Sequence, residues 1–86
     1  MFEVDLSTEA KDFYADVDQP MARKLARCFA QLEQEPRRHN NIKRLGGDLA
    51  GCWRYRVGDW RVVYRIDDQA HRVLVLLIAH RREVYD

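Results

Sequence analysis

Four arginines sit within the fourteen residues Cys52-Trp53-Arg54-Tyr55-Arg56-Val57-Gly58-Asp59-Trp60-Arg61-Val62-Val63-Tyr64-Arg65. A guanidinium group carries a permanent charge and a planar fork of N–H donors. Several together are suited to gripping phosphate or carboxylate by paired hydrogen bonds. They are no use as general bases, because they stay protonated in proteins. Whether these four act together depends on the element that carries them. The stretch reads as a β-hairpin, two runs of aromatic and β-branched residues turned at Gly58-Asp59, with glycine first as a type II′ turn requires. A two-residue turn sets Val57 against Trp60, Arg56 against Arg61, Tyr55 against Val62, Arg54 against Val63 and Trp53 against Tyr64. Alternation then gives a core face of Trp53, Tyr55, Val57, Trp60, Val62, Tyr64 and Ile66. The opposite face carries Arg54, Arg56, Arg61 and Arg65 around Val63. Like charges directly opposed across a strand pair are destabilising. The plain alternative is a solvated outer face; a cluster of one sign on one hairpin favours an anion site.

Two further stretches carry basic groups. The ending His80-Arg81-Arg82-Glu83-Val84-Tyr85 sets a basic pair beside an aromatic residue, just past an apolar run. His80 is the one ordinary titrating side chain near neutral pH in this cluster. Its other reading is a strand-end histidine hydrogen-bonded to backbone, and for Tyr85 it is an anchor packed on the sheet. Residues 36–52 form the least regular segment, with Arg37, Arg38, Lys43 and Arg44, and with Ile42, Leu45 and Leu49 pinning it to the core. Long ordered loops in small domains are often functional, and a solvated basic connector is the plain alternative.

The elements that must position these groups follow from periodicity. Phe2, Val4 and Leu6 alternate with Glu3 and Asp5, which predicts a short first strand. Ser7-Thr8 offers an N-cap to a helix over residues 8–17, with Glu9 in its first turn. Asp18-Gln19-Pro20 breaks that helix and starts another, with Pro20 at its first position. The second helix carries Met21, Leu25, Cys28, Phe29 and Leu32 on one stripe and ends before Pro36. Arg23, Lys24 and Arg27 lie away from that stripe. After the hairpin, a turn at 67–70 leads to a strand from about His71 to Ala79, whose apolar run predicts an interior position covered on much of both faces. The expected fold class is α+β: a two-helix hairpin packed on a four-stranded, mainly antiparallel sheet, in the order β-α-α-β-β-β, as one domain over residues 1–86.

Composition fits a globular chain, with 47% hydrophobic residues and 10% aromatic. The net charge of +1 hides an asymmetry. Residues 1–36 hold four Lys/Arg against eight Asp/Glu, and residues 37–86 hold eleven against six. Such polarity implies that the C-terminal part meets a polyanion. Cys28 and Cys52 lack metal-ligand spacing, and the acidic opening Phe2-Glu3-Val4-Asp5 is unlike a signal peptide. Free thiols in a reducing cytoplasm are expected. The longest apolar run, from Val73 to Ala79, is too short to span a bilayer, so no membrane partner is expected.

No phosphate-binding glycine loop, zinc spacing or nucleophile elbow is present. Arginine clusters beside Trp, Tyr and His suit nucleic acid, with guanidinium groups for phosphate and rings for unpaired bases. RNA carries its own nucleophile in the 2′-hydroxyl. Positioning it in line and neutralising the phosphorane permits cleavage with neither metal nor cofactor.

The run Ile42-Lys43-Arg44-Leu45, the hairpin from Gly51 to Tyr64 and the ending from His80 to Tyr85 together resemble RelE toxins of the RelE/ParE superfamily, and the element order resembles theirs over nearly the whole chain. The resemblance implies a type II toxin, a ribosome-dependent endoribonuclease that cuts mRNA in the A site and inhibits translation and growth. It implies a cognate RelB-like antitoxin, through which alone operator DNA would be met. Arg54 and Arg56 fall where RelE enzymes commonly carry lysines. Arg61 matches their phosphate-stabilising arginine, Arg81 the arginine that stabilises charge or protonates the leaving group, and Tyr85 the tyrosine that stacks on or orients a base. Lys43, Arg44, His80 and Arg82 are expected to contact RNA. The departure at Arg56 leaves the general base to Tyr85, His80 or a group outside the chain. The other reading within the superfamily is a ParE-like inhibitor of DNA gyrase without nuclease activity.

Overall fold

The computed structural model describes residues 1–84. Strand β1 (Glu3–Leu6) leads into helix α1 (Thr8–Asp16) and helix α2 (Gln19–Gln34), followed by β2 (Ile42–Arg44), β3 (Trp53–Val57), β4 (Trp60–Asp67) and β5 (Arg72–His80). The sheet has five strands in the order β1-β5-β4-β3-β2. β1 runs parallel to β5 and the other neighbours pair antiparallel. The fifth strand is the one the sequence did not reveal. β2 is three residues long with one apolar side chain, too short to display an alternation. It is a strand because the edge of β3 offers it partners, with Ile42 opposite Tyr55, Lys43 opposite Arg54 and Arg44 opposite Trp53.

Caps set the helices. Ser7 Oγ accepts the Ala10 N–H at 3.1 Å and donates to the Leu76 carbonyl at 2.6 Å, so one hydroxyl both starts α1 and ties it to β5. Leu76 lies at the register shift of β5 against β4, between the pairs Val63/Leu77 and Tyr64/Val75. Asp18 Oδ1 accepts the Met21 N–H at 2.9 Å and opens α2 at Gln19, which puts Pro20 at the second helical position. Leu25, Cys28 and Leu32 of α2 are fully buried against the inner sheet face, with Tyr55, Val57, Val62, Tyr64, Val73, Val75 and Ile78. Tyr64 is the largest fully buried side chain; its hydroxyl donates to the Pro36 carbonyl at 2.6 Å and fixes the exit of α2 to the centre of the sheet.

The outer face is not uniformly wet. Leu45, Cys52, Val63 and Val84 form a second buried cluster, flanked by Leu49, Leu77 and Ala79. The segment before β3 and the turn after β5 thus cover the middle of that face. Leu74 of β5 is 41% exposed, so β5 is interior in the sheet without being covered along its whole outer side. Among the described residues, no helix is long and apolar enough to cross a membrane.

Candidate nucleic-acid interface

The hairpin register matches the pairing expected from the sequence, with Arg56 opposite Arg61, Arg54 opposite Val63 and Trp53 opposite Tyr64. Gly58 has φ +59°, and Asp59 is not among the residues of positive φ, the pattern a type II′ turn needs. A side chain at position 58 would be strained there, which is why glycine leads the turn. Alternation therefore puts Lys43, Arg54, Arg56, Arg61 and Arg65 on the outer face.

Their surroundings differ. Arg54 is 6% exposed and its Nη1 donates to the Asn41 carbonyl at 2.6 Å. The same carbonyl accepts the Arg56 backbone N–H at 2.9 Å. Asn41, unremarked in the sequence, thus anchors the connector to β3. Arg56 is exposed at the end of β3 that β2 does not reach. Arg61 is half-buried, and its Nη1 donates to the Gly58 carbonyl at 2.8 Å and the Trp60 carbonyl at 3.0 Å, bracing the turn. Arg81 opens a short 3-10 turn, residues Arg81–Glu83, after β5. Its backbone N–H donates to the Asp59 carbonyl at 2.8 Å, and its Nε lies 3.7 Å from Asp59 Oδ1. Asp59 is a second residue sequence reasoning passed over; it links the tail to the hairpin tip.

The remaining candidates are dispersed. Arg44 faces the helix side, its guanidinium 5.4 Å from the Trp53 ring, with Arg37 5.9 Å from the same ring. His80 pairs with Trp60 and so lies on the inner side, ring edge to ring at 5.4 Å, while its Nδ1 accepts the Arg82 N–H at 3.2 Å. Arg82 is exposed. Tyr85 lies outside the described residues. The fold therefore gathers Arg56, Arg61 and Arg81 around the hairpin tip, keeps Lys43 and Arg54 on the same face further along, and turns Arg44 and His80 away from it. Among the described residues, no group of His, Cys, Asp and Glu is arranged to hold a metal ion.

Residues 4–85 match the family model described as the ParE toxin of the type II toxin–antitoxin system parDE. The chain belongs to the RelE/ParE superfamily of type II toxins. Within that superfamily it is 38% identical to Toxin RelE of Mycobacterium tuberculosis over 79 residues, 92% of this chain and 79% of that one. It is 40% identical to Toxin RelG of the same organism over 58 residues, 67% of this chain; the chain spans 64% of that relative's length. A RelBE toxin–antitoxin complex from M. tuberculosis contains a chain of the same fold, at TM-score 0.79 and 28% identity, covering 93% of this chain and 98% of that one. A YoeB/ParE toxin from Agrobacterium tumefaciens superposes at TM-score 0.81 and 23% identity, covering 92% and 98%.

Proposed function

We propose that this RelE/ParE toxin is a cytoplasmic, ribosome-dependent endoribonuclease that cuts mRNA in the A site. The observation that carries the reading is the register that sets Arg56 against Arg61, with Arg81 tied to the same hairpin tip through Asp59. In the proposed step the 2′-hydroxyl of one nucleotide attacks its own 3′-phosphate in line. Its proton passes to a base, the bond to the next 5′-oxygen breaks, and that oxygen takes up a proton. The products are a 2′,3′-cyclic phosphate and a free 5′-hydroxyl. Guanidinium groups at the hairpin tip neutralise the charge that builds on the phosphorane, which is the role a preorganised cation performs best. No metal is needed for that task. His80 is a poor candidate for the base, since its ring lies beside Trp60 and its Nδ1 already accepts a backbone N–H. The role falls to Tyr85 or to a group of the ribosome or solvent. Arg54 and Lys43 contribute charge along the strand's path, and Arg82 contributes at the tail.

The proposed partners are the ribosome with its mRNA and a RelB-like antitoxin that holds the toxin silent and alone meets operator DNA. An antitoxin covering this face would be acidic there, so the complex should loosen as salt rises. Primer extension on a message after induction of the toxin tests the reading: cuts in register with codons are expected. Intact message with gyrase-linked DNA breaks would overturn it in favour of the gyrase poison that the ParE name of the matching family raises.

A further inference from the structure

A cleft of about 260 Å³ lies between α2 and the end of β3 that projects past β2. Its walls carry Lys24 and Arg27 from α2 and Arg56 from β3, and Asn41 and Tyr55 back it. Lys24, Arg27 and Arg56 are all exposed. Among the described residues none of the three has an ion-pair partner, whereas Arg37, Arg72 and Arg81 each meet a carboxylate. From Gln19 to Leu32, α2 contains no acidic residue to neutralise them. Three unneutralised cations converging on one concave surface raise the local potential and favour an anion.

We propose that this cleft is a second phosphate site, in which Lys24 and Arg27 hold the RNA backbone next to the segment lying on the arginine face, with Arg56 shared between the two. The choice of RNA as the ligand rests on the nuclease reading above. An acidic peptide is the less suitable occupant. The edge N–H of Arg56, which an added peptide strand would need, is already taken by the Asn41 carbonyl. A sugar–phosphate chain needs only the cations, and each phosphate contact releases counterions.

The test is the binding of a short labelled single-stranded oligouridine to the intact toxin, followed by anisotropy over a series of salt concentrations. The double variant Lys24→Ala/Arg27→Ala should bind more weakly and flatten the plot of log affinity against log salt by about 1.4, two lost contacts at about 0.7 each. Arg23→Ala removes one charge from the same helix outside the cleft, at a side chain that bonds Gln19, and should leave the slope near that of the parent. All three positions are exposed and alanine favours helix, so matching melting curves are expected to confirm folding. The proposal is overturned by an unchanged slope in the double variant, by Arg23→Ala flattening the slope as much per charge, or by a parent toxin that fails to bind the oligonucleotide at low salt. It is overturned equally if the double variant loses affinity for a polyglutamate peptide and not for RNA. The outcome separates from that of primer extension. A flattened slope in a toxin that cuts no message keeps the cleft and removes the nuclease, and an unchanged slope in a toxin that cuts removes the cleft alone.

Discussion

The two faces of the sheet use the same strands for opposite ends. The inner face is built of side chains that fit one another: Val62, Tyr64, Val73 and Val75 have no exposed surface, and α2 supplies Leu25, Cys28 and Leu32 to match. The outer face sets Arg56 directly against Arg61, an arrangement that works against folding. It is held in register by what lies behind and beside it: the inner core, the Val63 cluster, and carbonyls of the hairpin turn that accept from Arg61. One face supplies stability and the other spends some of it to concentrate charge. Substitutions on the two should therefore fail in different ways.

The largest expected effect is on the inner face. Leu25→Ala should cost about 2–5 kcal/mol, lost transfer energy plus the cavity left in a packed interior. Urea titration should show a lower midpoint, and any loss of growth arrest should track the unfolded fraction. Arg61→Ala and Arg81→Ala should reverse that pattern. Either should relieve growth arrest and slow message cleavage by about 10²–10³-fold, the cost of removing one preorganised charge-stabilising group. The melting curve should move little, because Arg81 is largely exposed and the Arg61 guanidinium donates to carbonyls of a surface turn that the strand pairing already holds. Full toxicity in a soluble Arg61→Ala chain would remove the outer face from the mechanism.

That division is largely legible in the sequence. The hairpin register followed from a two-residue turn with glycine first, and the helix stripe from Leu25, Cys28 and Leu32. What stayed hidden depended on contacts between distant segments. β2 has too few residues to show a period, so only its pairing with Tyr55, Arg54 and Trp53 reveals it. Alternation groups Arg54 with the other arginines, and nothing in its neighbours announces that it will be buried with its guanidinium bonded to the carbonyl of Asn41, thirteen residues earlier. Arg44 and His80 are basic groups near the right motifs whose strand parity aims them at the helix side. Asp59 reads as a turn residue, and its second task, tying Arg81 to the hairpin tip, needs the tail to fold back.

A middle-sized effect is expected where the inner face meets the connector. Tyr64→Phe removes the hydroxyl that donates to the Pro36 carbonyl. It leaves that acceptor without its partner, which should cost about 1–3 kcal/mol. The same residue supplies a pH test. Burial is the first cause that pushes the Tyr64 phenol above its ordinary 10.0. A raised value means its contribution is fully present below about pH 10 and is lost as pH rises beyond it, since the unfolded chain releases its proton first. Tyr64→Phe should therefore flatten the alkaline decline in stability. Burial also raises the Cys28 thiol, so a residual decline should persist in the variant. An unaltered alkaline slope would mean that the phenol is not the titrating group.

The smallest effect sharpens the comparison from the edge of the sheet. Arg37 grips Asp68 with two hydrogen bonds of 3.0 and 2.7 Å, clasping the connector to the β4–β5 turn while its guanidinium lies near the Trp53 ring. Both side chains are well exposed, so the pair is screened and its contribution small. The hydrogen bond from Arg37 nevertheless holds the Asp68 carboxyl below its ordinary range. For a depressed value the sign is the reverse of Tyr64: the stabilisation is present above the ordinary carboxylate pKa and vanishes as pH falls through the lowered one. Asp68→Asn should thus melt slightly below the parent at neutral pH, with the gap closing in acid and narrowing in high salt. A gap that persists undiminished at about pH 2, where carboxylates are protonated, would assign it to packing of the turn. Arg37 would then belong, like Arg44, to the cations that build the fold through Trp53 rather than to those the outer face holds for a ligand.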